Sequence, residues 1–348
     1  MAIHIGLIGG GNITDTHARA ARAIPGVEIA AIYGTNPEKL ATLCREYGGK
    51  QYRDFDAFLA HRPMNLVAIG SPSGLHATHG IAAAQRGLHV LTEKPIDVNT
   101  RRADALIEAA RRSGVKLGVM FQDRLKPGIC QLREWINAGV IGKPLLADAR
   151  VKWYRPPEYY GQSRWRGTLA LDGGGALINQ AVHTVDLLLW LLGDVVRVQS
   201  RTTTALHKIE AEDTALAILE FSSGALGVLQ ATTAAYPGYQ RRLELTGSEG
   251  TVILEQDLIL AANLRHAPPG FSQGSTTDEN QSARSAVVSD FRGHQALFEN
   301  FIQAVERDTT PICDGHDGRR SIALVEAIYR AARNPDGGSL VNLASEPA

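Results

Sequence analysis

Residues 3–14 read Ile3-His4-Ile5-Gly6-Leu7-Ile8-Gly9-Gly10-Gly11-Asn12-Ile13-Thr14. A short apolar run ends in three glycines and passes into a helical pattern that continues to Ala23, which is the order of a buried strand, a tight turn and a helix. Gly9-x-Gly11-x-x-Thr14 fits the dinucleotide-binding fingerprint except at its third position, where Thr14 stands in place of Gly or Ala. Glycines allow a backbone to approach a pyrophosphate, and a helix N-terminus offers N–H groups and a partial positive charge to it. On the motif alone, a glycine-rich turn that binds nothing is the competing reading.

Working outward, strand and helix patterns alternate: strands at Val27–Tyr33, Lys50–Tyr52, Asn65–Gly70, Leu88–Leu91 and Lys116–Phe121, with helices ending at Leu59 and spanning Leu75–Arg86 and Thr100–Arg112. Such alternation predicts a doubly wound parallel sheet, an α/β fold whose ligands bind at the carboxyl ends of the strands. After the second strand, where a ribose-binding acid is expected, stand Thr35 and Asn36. Neither a carboxylate to favour NAD nor an Arg to favour NADP is present there, so both cofactors remain open; Thr35 and Asn36 can bond either, and Lys39 adds a charge nearby. Two further clusters fall at strand ends, Ser71-Pro72-Ser73-Gly74-Leu75-His76 and Thr92-Glu93-Lys94-Pro95. An ammonium at Lys94 beside a nicotinamide ring would stabilise a developing alkoxide, whereas spacing alone equally allows an exposed Lys paired with Glu93. His76 and His79 lack a third ligand and read as helix surface or cap groups, not a metal site.

The second half contains Asp172 to Gly193, in which Gly173-Gly174-Gly175 leads into an apolar helix. On that helix Asn179, His183 and Asp186 fall at i, i+4 and i+7, one polar stripe among Leu177, Ile178, Val182, Val185 and Leu188. Either they satisfy buried hydrogen bonds or they face a ligand. Before it, Arg155 to Gly167 is rich in aromatics and arginines and reads as a loop; Tyr160, Trp165 and Arg166 suit a sugar's C–H faces and its hydroxyl or carboxylate groups, unless the loop only packs on the sheet edge. After it, β-type runs at Val195–Leu206, Ala211–Phe221, Ala225–Ala235, Arg241–Thr246, Thr251–Glu255 and Leu258–Ala262 predict an antiparallel sheet. One face would pack on the His183 helix, and the other lacks a helix to cover it, which predicts a homo-oligomer, dimer or tetramer, through that face. His266 to Asp290 reads as a mobile loop, helices follow at Phe291–Arg307 and Gly315–Arg333, and His294 and His316 read as surface or capping groups.

The chain's 348 residues suit about two domains, divided as 1–122 and 123–348. Lys+Arg and Asp+Glu are both 36, so no global charge favours nucleic acid or an anionic membrane. The three cysteines form no ligand-type pair, and neither a secretory leader nor an 18-residue apolar run is evident, so a cytoplasmic location is expected.

With the glycine turn, Ser71 to His76, Glu93-Lys94-Pro95, and the three glycines leading to His183-x-x-Asp186, the chain resembles the glucose-fructose oxidoreductase, inositol dehydrogenase and MocA-like (Gfo/Idh/MocA) family. The resemblance implies an N-terminal Rossmann domain, a C-terminal α+β domain with a large, open, mainly antiparallel sheet, and NAD or NADP between them. It implies that Lys94 and His183 act on a carbohydrate or polyol hydroxyl, His183 as acid/base and Lys94 stabilising the alkoxide, with Asn179 orienting a hydroxyl. The cofactor would lie along Gly9, Gly11, Asn12, Ile13, Thr35, Asn36, Ser71, Pro72, His76, Glu93, Lys94 and Pro95. Many similar chains carry Asp where this one has Asn179, which concentrates proton transfer on His183. The family also holds NAD-dependent glycosidases, for which Tyr160 or Asp172 would be the added base. A non-enzymatic nucleotide sensor would need neither Lys94 nor His183.

Overall fold

The computed structural model describes residues 2–161, 165–266, 290–334 and 338–341. They form two compact units, one of 1–122 with 287–319, the other of 123–286 with 320–344, as far as each is described. The first unit's leading segment ends at residue 122, and 287–319 groups with that unit and not with the second.

In the first unit the elements are β1 (Ile3–Ile8), α1 (Asn12–Arg22), β2 (Val27–Tyr33), α2 (Pro37–Tyr47), β3 (Lys50–Tyr52), α3 (Phe55–Leu59), β4 (Leu66–Ile69), α4 (His76–Ala84), β5 (His89–Thr92), α5 (Thr100–Arg112) and β6 (Leu117–Val119). The strands are all parallel, in the order β3-β2-β1-β4-β5-β6. This is the Rossmann order, with its reversal between β1 and β4. Helix α2, which the periodicity leaves unread, starts with Pro37 at its first position and Asn36 as its cap, Oδ1 accepting the Lys39 N–H at 3.0 Å. Thr14 fits as the third fingerprint residue because its neighbours are small: a Cβ on Gly9 would lie 2.7 Å from both the Thr14 hydroxyl and the Gly70 carbonyl. The close helix–strand approach usually provided by a third glycine is provided here by Gly9 and Gly70.

The chain returns to this unit through α9 (Arg292–Glu306) because that helix has apolar side chains to bury there. Phe298 and Phe301 are fully buried, and a Cβ on Gly118 of β6 would strike the Phe301 ring.

The second unit contains α6 (Pro127–Asn137), β7 (Pro144–Lys152), α7 (Pro157–Gly161), a π-helical turn (Ala176–Ala181), α8 (Val182–Leu192), and strands β8 (Val195–Thr203), β9 (Thr214–Phe221), β10 (Leu226–Thr232), β11 (Arg242–Gly247), β12 (Gly250–Glu255), β13 (Leu258–Leu264) and β14 (Gly338–Leu340). The sheet order is β13-β12-β11-β7-β10-β9-β8-β14, antiparallel except where β10 runs parallel to β7. Strand β9 shows the alternation that made it legible: Ala215, Ala217, Leu219 and Phe221 are buried, while Leu216 and Ile218 face outward. Helix α10 (Gly315–Arg333) follows α9. The segment predicted as a mobile loop falls almost wholly on 267–289, outside the described residues.

The glycines before α8 serve an approach of backbone to backbone. A Cβ on Gly175 would sit 1.7 Å from the Glu212 carbonyl, and the buried Glu212 carboxylate accepts the N–H groups of Gly175 and Leu177 and the Tyr329 hydroxyl. Glu212 therefore caps the helical segment from outside it, satisfying donors that have no partner within the segment. Burial pushes its carboxyl up despite those donors.

Candidate active site

In the first unit the candidate nucleotide groups gather at the carboxyl ends of the parallel strands. Gly11 caps α1 without a side chain, and a Cβ on Gly10 or Gly11 would meet nothing within 4 Å, so the backbone there is open to a ligand. Asn12, Thr35 and Asn36 are exposed, and Ile13, Ser71, Pro72 and Lys94 are partly so. These residues fit a dinucleotide.

His76 and Glu93 behave differently. His76 is buried, not a surface group: its Nδ1 lies 2.7 Å from the Pro95 carbonyl and its Nε2 2.9 Å from the Ser71 carbonyl, tying two of the strand-end loops together. Partly buried His79 bonds Ser71 Oγ through Nδ1 at 2.9 Å, and burial, then nearby His76, lowers it to about 4, so it is neutral there. Glu93 is turned inward. Its Oε1 accepts from Nε2 of His17 at 2.9 Å and Nε2 of His294 at 3.2 Å, and its Oε2 accepts the Lys94 N–H at 3.1 Å. Burial alone would raise this carboxyl; His17 and then His294 more than reverse that and hold it well below the usual range. His17 is itself lowered, burial outweighing its bond to Glu93.

His294 is thus a buried donor and not the surface or capping group expected, because α9 is packed into this unit. The three ligand-type atoms lie within 4.8 Å of one another. Glu93 already uses one oxygen for both imidazoles, however, and a metal ion would have to displace those bonds.

In the second unit the anticipated Asn179-His183-Asp186 stripe is divided among three partners. The π-helical turn carries one extra residue and rotates Asn179 out of α-helical register with His183. The Asn179 amide donates to Asp172, whose other oxygen accepts the Gly167 N–H at 2.8 Å. Asp186, 1% exposed, forms a two-bond pair with Arg124 at 2.8 and 2.6 Å and takes the structural role left open for it. The carboxylate facing His183 is Asp123, whose Oδ2 lies 3.6 Å from Nδ1, within ion-pair reach but long for a hydrogen bond. Arg241 bridges Asp123, at 2.7 Å, and Asp257. Burial would raise Asp123, but Arg241 and then His183 more than offset it and keep the carboxyl ionised; Asp257, buried and repelled by Asp123, moves up.

Asp123 and Arg241 were not singled out in the sequence. The available signal was position: Asp123-Arg124 is a charged pair directly beyond the last parallel strand, at a carboxyl end.

The Tyr160 hydroxyl bonds Thr233 Oγ1 at 2.9 Å, and burial pushes it up to about 12, so it is a poor base. Trp165 and Arg166 are half-buried, and the Arg166 guanidinium lies 4.2 Å from the Tyr159 ring centroid. Among the described residues no helix is long and apolar enough to cross a membrane.

A parallel sheet in the Rossmann order with an open glycine turn is the architecture of a nicotinamide-dependent oxidoreductase. Residues 3–121 match the oxidoreductase family with an NAD-binding Rossmann fold, and residues 129–253 match the Gfo/Idh/MocA C-terminal domain. The chain belongs to the Gfo/Idh/MocA family and is an NAD(P)-dependent dehydrogenase or reductase of CH–OH groups. It is 28% identical to the D-apiose dehydrogenase of Paraburkholderia graminis, over 98% of this chain and 90% of that one. It is 28% identical to the myo-inositol 2-dehydrogenase of Thermotoga maritima, over 92% and 94%. The WlbA dehydrogenase from Bordetella pertussis, solved in complex with NADH and UDP-GlcNAcA, superposes with a TM-score of 0.88 at 32% identity, covering 98% of each chain.

Proposed function

We propose that the enzyme moves a hydride between NAD or NADP and a secondary alcohol or ketone of a sugar, cyclitol or sugar derivative, with Lys94 and His183 acting on one carbinol. The nucleotide supplies the hydride acceptor in the oxidising direction. His183 accepts the hydroxyl proton and Lys94 stabilises the alkoxide through its ammonium, while Asn179, bonded to Asp172 and Gln180, is left out of the reading. The observation that carries this reading is the ionised Asp123 facing the His183 ring at 3.6 Å. A carboxylate there favours the imidazolium formed when His183 takes a proton, as a general base requires.

The test is nicotinamide absorbance during incubation of the full chain with NAD or NADP and a panel of sugars, cyclitols and glycosides. Net reduction is expected. Aglycone release with no net reduction would replace this reading with the hydrolytic one.

The same reading includes assembly. On the outer face of the sheet Leu146 and Leu226 are register partners, and with Leu216 and Ile218 on β9 each is about half exposed. An apolar stripe across three neighbouring strands is what a second copy would cover. Ile218→Lys with Leu226→Lys should shift the sedimentation profile to the monomer; a monomeric wild type would refute the assembly.

A further inference from the structure

In the second unit most buried or half-buried arginines face a carboxylate: Arg124 meets Asp186, Arg150 meets Asp148, Arg241 meets Asp123 and Asp257, and Arg242 meets Glu244 and Glu255. Arg166 differs. Its guanidinium rests on the Tyr159 ring at 4.2 Å and near the Trp165 ring at 5.5 Å, and one N–H donates to the Tyr159 carbonyl at 3.2 Å. A second guanidinium, Arg155, leans on the same tyrosine, 5.7 Å from its centroid, and donates to the Tyr154 carbonyl and to Gln180 Oε1 at 2.8 Å. The carboxylate whose charge reaches Tyr159, that of Asp172, accepts from Gly167 and Asn179.

The cluster is tied to the segment that carries His183. Gln180 donates to the Tyr159 hydroxyl at 3.3 Å and to Asn179 Oδ1 at 3.0 Å. A guanidinium fixed over an aromatic ring still offers its planar fork of N–H donors, which matches a carboxylate or phosphate.

We propose that Arg166, stacked on Tyr159 beside Arg155, is an anion subsite that receives a carboxylate or phosphate group carried by the substrate, so that the true substrate is an acidic sugar derivative. This rests on the dehydrogenase reading and narrows its substrate class. The neutral parent sugar would react only weakly, because the Arg166 guanidinium would be left facing a hydroxyl.

The experiment uses the full chain with NAD or NADP and D-glucose, D-glucuronate, D-glucose 6-phosphate and UDP-glucuronate, read by cofactor reduction and, separately, by calorimetric binding. KM for at least one acidic compound should lie tenfold or more below that for glucose. Arg166→Gln should raise that KM about ten- to a hundredfold, the range of one charge-assisted hydrogen bond, with a smaller change in kcat. Arg166→Lys should recover part of the loss. Whether glucuronate or the phosphate responds decides which anion the subsite takes.

Equal use of neutral and acidic sugars, or a loss in Arg166→Gln that is the same for both, overturns the subsite and leaves the dehydrogenase reading intact. Binding of an acidic compound that Arg166→Gln abolishes, with no cofactor reduction by any compound, upholds the subsite and overturns the dehydrogenase reading. Failure of the wild type to bind any of the three anions overturns the subsite.

Discussion

Among the described residues, Glu93 in the first unit and Asp123 in the second are carboxylates turned inward with imidazole beside them, and the two are bound in different ways. In the first, Glu93 is closed: two imidazoles and a main-chain N–H, all within 3.2 Å, satisfy it completely enough that it stays ionised although buried. In the second, Asp123 is held by Arg241 and faces His183 across 3.6 Å without a hydrogen bond closing the gap. A saturated network fixes backbone, here the main chain of Lys94. The same two chemical groups, a carboxylate and an imidazole, are therefore closed into a clamp in one place and, in the function proposed above, serve proton transfer in the other, and the difference lies in what else binds the carboxylate.

The sharpest way to break this contrast is to remove the reactive imidazole. His183→Ala should lower kcat by roughly 10²–10⁴-fold, the range of a lost general base, while nucleotide affinity, measured by fluorescence titration, stays near wild type. Turnover close to wild type would place His183 with the clamps. Next in size, Asp123→Asn should lower kcat about ten- to a hundredfold. Removing an anion makes the imidazolium less favourable, so the acidic limb of the rate profile should move to lower pH, by up to about one unit. A limb that stays in place would show that Asp123 serves Arg241 alone.

The fold was legible because its signals are periodic. Residues 3–122 alternate strand and helix patterns, and β9 alternates buried Ala215, Ala217 and Leu219 with exposed Leu216 and Ile218. The candidate site was nameable where chemistry is written into a short motif, as at Lys94-Pro95 and at His183, which the proposed function still rests on. What stayed hidden are partnerships between distant residues. His294 lies 201 positions from Glu93, and nothing local distinguishes it from a surface histidine. Asp186 falls on the stripe of His183 by α-helical spacing, yet Arg124 claims Asp186, and the π-helical turn breaks the stripe one turn earlier. A single inserted helical residue leaves no mark on an apolar pattern, and a carboxylate on one short 3-10 turn such as Asp123 has no period to read.

The clamp should answer to different measurements from those that report on His183. His294→Leu takes one donor from a buried carboxylate and should cost about 1–3 kcal/mol in urea unfolding of the full chain. The smallest effect is the pH dependence, read as the stability of the wild type minus that of His17→Gln, whose amide can still donate to Glu93 but does not titrate. His17 is lowered from 6.5 in the folded chain, so below that value the unfolded chain binds the proton that the folded chain refuses. The difference should therefore shrink as pH falls below 6.5, with a slope of at most about 1.4 kcal/mol per pH unit. Glu93, lowered from 4.5, adds a second loss in the wild type that starts near 4.5, and Glu93→Gln should lack that lower step while keeping the upper one. A difference that grows on acidification from pH 7 to 5 would mean that His17 is charged in the folded protein, which would make the Glu93 cluster an ion pair and erase the distinction from Asp123 and His183.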